Sequence, residues 1–305
     1  MNFAKKKFDE MNNGVNNYKL KFANGKYINS INSLSEKAKQ NKIKVLAWGQ
    51  NAHFHKATSG NEFYEINENT VWSSDLPHIV LGICKVQNQA ELKIEKNSKV
   101  YFYNNSALLI DSGSTLKILG ELDNIVHFKS TRLESYMQDI AGQWYGIILG
   151  RGSKGNKIQY TTIKNSIVGL YVDSTAECTL KNSRIFNTAS NGLVGVRATI
   201  QADNCLIYNN GGSAVQCING GDYQFNYCTI ASYGSNSSAL GMTNYICYDD
   251  PITCQRRSQY RLNATFRNSI FYGSDQDEIN LSDISSGQNK ALFNILFENC
   301  VVRVK

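Results

Sequence analysis

Apolar residues along most of this chain come in short alternating runs, each closed within a few residues by a turn of Asn, Ser, Gly or Asp. Leu92/Ile94, Val100/Phe102, Leu108/Ile110 and Leu116/Ile118 are apolar pairs at two-residue spacing, recurring about every eight residues. A period of two predicts strands, and the short interval limits each to about four residues. Three such strands make a coil of roughly 22–25 residues, too small to bury its own apolar side chains without neighbours stacked along an axis.

The second half repeats the coil openly, in the form apolar-x-[Asn/Tyr]-[Ser/Thr/Cys]-x-apolar. It reads Ile158–Ile163, Leu180–Ile185, Ala202–Ile207, Phe225–Ile230, Phe266–Phe271 and Phe297–Val302. Its closing residues are spaced by 22, 22, 23, 41 and 31. Asn165, Asn187 and Asn209 keep the same step, at positions where Asn tolerates left-handed backbone angles and bonds its stacked neighbour. The expected fold is all-β, a right-handed parallel β-helix of about nine coils over residues 45–305. Ile163, Ile185, Ile207 and Ile230 should stack inside it. A leucine-rich repeat has a similar period but needs one strand per repeat, whereas each repeat here carries two or three apolar runs.

Residues 1–44 lack this period. Ser33-Leu-Ser-Glu36 reads as a capping box opening a short helix to about Gln40, so the segment is expected to be a cap or extension containing some helix. The 41-residue step marks an inserted loop at about 241–262. Only three residues follow Val302, so the C-terminal end is expected to be incomplete, and to fray or dock on another copy.

Composition adds few constraints. Hydrophobic residues make up 42% of the 305 and charged ones 19%, enough for a core and too few charges for disorder. The net charge is +7, yet residues 1–44 hold ten lysines and three acids, leaving 22 basic and 22 acidic residues elsewhere. Salt-sensitive polyanion binding is therefore expected in residues 1–44, with no specific nucleic-acid binding by the body. No run of 18 apolar residues predicts a transmembrane helix, and the start carries no signal-peptide core. Read alone, that places the chain in the cytoplasm.

Several stretches carry a resemblance. Ala47–His55, Arg132-Leu-Glu134, Gly142–Ile147, Leu262–Phe266, Asp277-Glu-Ile279 and Phe297–Cys300 resemble the right-handed β-helix repeat proteins of the Bacteroidota, over about residues 45–305. The resemblance implies the fold and, because such proteins are often exported lipoproteins, an extracellular or outer-membrane location. It implies almost nothing about chemistry.

Candidate chemistry is sparse. Cys205, Cys228 and Cys300 occupy the motif's small-residue position, where Thr161, Ser183 and Ser269 stand elsewhere, and are expected to be small buried thiols. Cys247 and Cys254 flank a loop and are the disulfide candidates in an oxidising compartment. His53-x-His55 would point both imidazoles to one side of a strand, without an identifiable third ligand, and no metal site is expected. Arg132, Glu134 and Asp139 lie close together on a loop and are the catalytic candidates. Asp249-Asp250 with Arg256 and Arg257 on the inserted loop, and Phe186 with Tyr208 as stacked outward aromatics, are the binding candidates. The expected role is a non-catalytic binding or scaffold protein of the envelope, engaging a glycan or another protein and needing no cofactor. The alternative is a polysaccharide lyase or glycoside hydrolase, with Ca2+ entering only for the lyase. A cleft with convergent carboxylates would mark the enzyme.

Overall fold

The computed structural model describes residues 52–303 except 59, 234, 251 and 252. The N-terminal segment 1–44 and its expected helix lie outside the described residues. Within them the chain winds as a right-handed parallel β-helix with three flat faces. Ten strands, from His53–Lys56 to Val301–Val302, stack in chain order as the first face. The second and third faces form one continuous sheet, because Leu193–Asp203 and Val215–Asn226 run unbroken round the corner between them. Nine complete coils result, and the described strand pairings are parallel except for one short hairpin and one isolated bridge.

The small residue of the coil motif explains how the third face turns into the first. The residue before it takes positive φ: Tyr160 44°, Asn182 49°, Asn204 50°, Tyr227 55°, Asn268 49° and Asn299 53°. The hydroxyl or thiol then donates back to the carbonyl two residues earlier, as in Ser183 Oγ to Lys181 O (2.7 Å) and Cys205 Sγ to Asp203 O (3.2 Å). The same oxygen accepts from the preceding coil, Thr161 N–H to Ser183 Oγ and Cys228 N–H to Ser269 Oγ, both 3.1 Å. A larger side chain would break this ladder, so Ser, Thr and Cys interchange there. Asn side chains stitch the turns further, Asn204 to Asn182 (2.8 Å) and Asn209 to Asn187 (2.5 Å).

Inside, the residues pair in register as Val100, Phe128, Ile163, Ile185, Ile207, Ile230, Phe271 and Val302. All but the last are fully buried. Aromatic rings fill the wider corners: Phe102 stacks on Trp144 at 4.0 Å, and Phe225, Phe266 and Phe297 stack at 5.2 and 4.8 Å. The motif's outward ladder is ion-paired on the third face, Lys181 with Asp203 at 3.6 Å and Arg267 with Glu298.

His53, His55 and His78 occupy inward positions of the first two coils, in register with Val100 and Phe102. His78 Nε2–H donates to Ser73 O (2.8 Å), so its Nδ1 accepts from His55 Nε2–H (2.9 Å). Trp72 stacks on both rings. The H-x-H pair is thus a neutral interior stack, and burial, followed by the neighbouring His78 and His53, holds His55 down at about 3.

Candidate functional site

Loops leave the helix chiefly at two corners, and their positions decide which side chains meet. Between the first and second faces, residues 131–145 form the loop of the fourth coil, 233–239 that of the eighth and 274–278 that of the ninth. The last two loops rise on one side of a cleft of about 820 Å³ over the second face. Its floor is the outward register of three neighbouring strands, Gln216, Gly241 and Asn280. Its wall carries Asn236, Ser237 and Ser238 from one loop and Asp275, Gln276 and Asp277 from the other. The Gln216 amide lies flat over Gly241, where a Cβ would sit 2.2 Å from its Oε1.

Glu278 fixes this arrangement. It is fully buried, Oε2 accepting from Ala239 N–H (2.9 Å) and Oε1 from Asp275 N–H (2.8 Å), so one carboxylate ties both wall loops together. Gly273 makes room for it; a Cβ there would lie 2.0 Å from Ser232 O and 2.4 Å from Glu278 Oε1. Asp275 and Asp277 are thereby held beside each other in the cleft on a short turn, Gln276 N–H also bonding Asp275 Oδ1 (3.0 Å). Two adjacent carboxylates among amides and hydroxyls can bind sugar hydroxyls and exchange protons with a glycosidic oxygen or a water. Among the described lining residues no Lys, Arg or His supplies the base and cation that a lyase needs.

The sequence candidates lie elsewhere. Arg132 and Glu134 pair with one another (3.0 Å), four coils from the cleft, about 19 Å along the axis. Asp139 sits 3.9 Å from Lys164 and accepts from Asn187 Nδ2–H (3.3 Å), in a loop docked on Asn165 through Met137 O and Gln138 O. The inserted segment is the antiparallel hairpin Tyr245–Cys247/Arg257–Gln259, with Cys247 and Cys254 joined by a disulfide, Cα to Cα 5.1 Å. Asp249 accepts from Arg256 N–H (2.7 Å) and Arg257 donates to Cys254 O (3.3 Å), so these groups hold the hairpin together. The hairpin leaves the same second-face strand whose outward glycine floors the cleft, and Tyr245 Oη meets Ser282 Oγ at 3.0 Å. Asp250 lies on the same hairpin, its carbonyl accepting from Cys254 N–H. Phe186 and Tyr208 do stack, 4.9 Å apart and 14° from parallel, on the outside of the first face. Their ring faces are turned to each other and to Lys164, 5.6 Å above Phe186, so they offer edges outward. Among the described residues no group of His, Cys, Asp and Glu is placed to hold a metal.

The cleft carboxylates were missed because they stand on a turn, outside the repeat. The available signal was Asp275-Gln-Asp-Glu278, a denser acidic run than Asp249-Asp250 and placed within the irregular 31-residue step.

No family model matches the chain, and no curated protein matches it by sequence. Solved structures do. The periplasmic alginate epimerase AlgG is similar over 76% of this chain and 78% of its own, at 12% identity and a TM-score of 0.33. An endo-xylogalacturonan hydrolase from Aspergillus tubingensis is similar over 83% and 85%, at 12% identity and 0.29. The Dettilon tailspike protein is similar over 77% and 61%, at 9% identity and 0.34. At these identities the likeness is one of fold, and it bears on the β-helix class without reaching the Bacteroidota. The expected non-catalytic scaffold is corrected on these findings: β-helices named as an epimerase and a hydrolase stand beside this one, and its own cleft holds the paired carboxylates that mark the enzyme alternative.

Proposed function

We propose that the protein is a carbohydrate-active enzyme that lays a polysaccharide along the second face and cleaves it with Asp275 and Asp277. The supporting observation is the cleft itself, where two carboxylates project from a turn clamped by buried Glu278 over a floor of amide and backbone. Hydrolysis uses one carboxyl as proton donor and a second as base or nucleophile, and this cleft supplies that pair without the cation of a β-elimination site. An envelope or extracellular setting fits the Cys247–Cys254 disulfide and the periplasmic or secreted character of the epimerase-like neighbours. No helix among the described residues is long and apolar enough to cross a membrane.

The test is release of reducing ends from a panel of plant, algal and bacterial polysaccharides. Asp275→Asn and Asp277→Asn should each lower turnover by roughly 10²–10⁴ while the thermal midpoint stays put, the usual size of a lost acid or base. Wild-type turnover in both variants would refute the assignment.

A further inference from the structure

The charges of the β-helical body balance on paper, but the register sorts them unevenly. On the first face, one outward column runs Lys99, His127, Thr162 and Arg184 across four successive coils. In the neighbouring outward column Tyr101 pairs with Lys129, and Lys164 pairs with Phe186 and then Tyr208. None of these outward positions is Asp or Glu. Lys99 and Arg184 are exposed, and Arg184 reaches Thr162 Oγ1 (3.3 Å) rather than a carboxylate. Asp139 approaches Lys164 at 3.9 Å, from a loop that leaves its own carboxylate 85% exposed. The third face contrasts with this, because its lysines meet acids: Lys117 with Glu91 at 2.6 Å and Lys181 with Asp203 at 3.6 Å. Lys129, Arg184, Lys99 and Lys164 all act on His127, whose affinity for a proton is depressed by burial first and by these four cations next.

We propose that this face of the solenoid binds an acidic polysaccharide running parallel to the helix axis, with its acid groups over Lys99, Lys129, Lys164 and Arg184. Cations recur from coil to coil at the strand spacing of about 4.8 Å, an advance close to that of a pyranose residue along a chain. A polymer with an acid on each sugar can therefore meet one coil after another in register. The stacked rings argue against a single-stranded nucleic acid, which wants open aromatic faces, since Phe186 spends both faces on Lys164 and Tyr208. A flat sheet face likewise has no ribbon or helix to enter a duplex groove. The surface lies on a different face from the cleft and does not rest on the reaction assigned there.

Binding of the full chain to polygalacturonate, dextran sulfate, neutral dextran and duplex DNA tests the proposal. Polygalacturonate should bind, weakening as salt rises from about 50 to about 200 mM, and neutral dextran should not. The double variant Lys99→Glu/Arg184→Glu should lose affinity by about tenfold or more with an unchanged thermal midpoint. Asp275→Asn should bind as the wild type does, which separates this surface from the cleft. Dextran sulfate binding in place of polygalacturonate would keep the surface and assign sulfate as the acid. Equal binding of neutral dextran, tighter binding of DNA than of either acidic glycan, or unchanged affinity in the double variant would overturn it, the last placing polyanion binding elsewhere, such as the ten lysines of residues 1–44.

Discussion

Glu278→Gln is the smallest change that loosens the cleft without altering its lining. The glutamate accepts two backbone N–H bonds while fully buried, one from each wall loop. Glutamine keeps one carbonyl oxygen and must turn an NH2 toward the other donor. It loses a charge-assisted bond, about 1.5–3 kcal/mol, and leaves buried donors facing each other, about 1–3 kcal/mol more. The sum, of order 4 kcal/mol, lowers the thermal midpoint by about 10 °C for a domain this large. Because a solenoid need not unfold as one unit, amide exchange is the sharper readout. Exchange should quicken at Ala239 and Asp275 and remain slow in the first-face strands Thr161–Lys164 and Arg184–Thr188. A wild-type midpoint together with unchanged protection at both amides would show that Glu278 does not hold the loops.

Ile207→Ala removes a fully buried side chain stacked between Ile185 and Ile230 and should cost about 2–5 kcal/mol, whereas Ile207→Asp should unfold several coils; loss below 1 kcal/mol for the alanine variant would refute the stacked register. His55 is buried and its value is lowered from 6.5 to about 3, so the unfolded chain binds the extra proton between those limits. Its stabilisation is complete above about pH 6.5 and is lost as pH falls, by up to roughly 2.7 kcal/mol at pH 4.5. Denaturant midpoints should fall over that window and fall less in His55→Phe; a pH-independent wild type would contradict the neutral stack.

The repeat was legible because coil stacking is a local rule applied many times. The spacing of Ile163, Ile185 and Ile207 places each isoleucine inside, and the small residue after Tyr160, Asn182 and Asn204 is what the left-handed turn requires. Cys205 and Cys228 were readable for the same reason, since they share a position with Ser183 and Ser269. The candidate site was not legible, because it is made where the repeat fails. Asp275 and Asp277 meet Asn236 and Ser238 only because loops 39 residues apart are joined by Glu278 across adjacent coils. Conversely, Arg132 and Asp139 are close in sequence but four coils from that cleft. Net charge misled in a similar way: 22 basic and 22 acidic residues cancel in a sum, while the winding sets lysines against acids on one face and cations beside cations on another. Sequence spacing determined which side chains point inward, since a coil closes every 22 residues or so; which outward side chains become neighbours depended on how the irregular coils add their loops, and only the tertiary structure decided that.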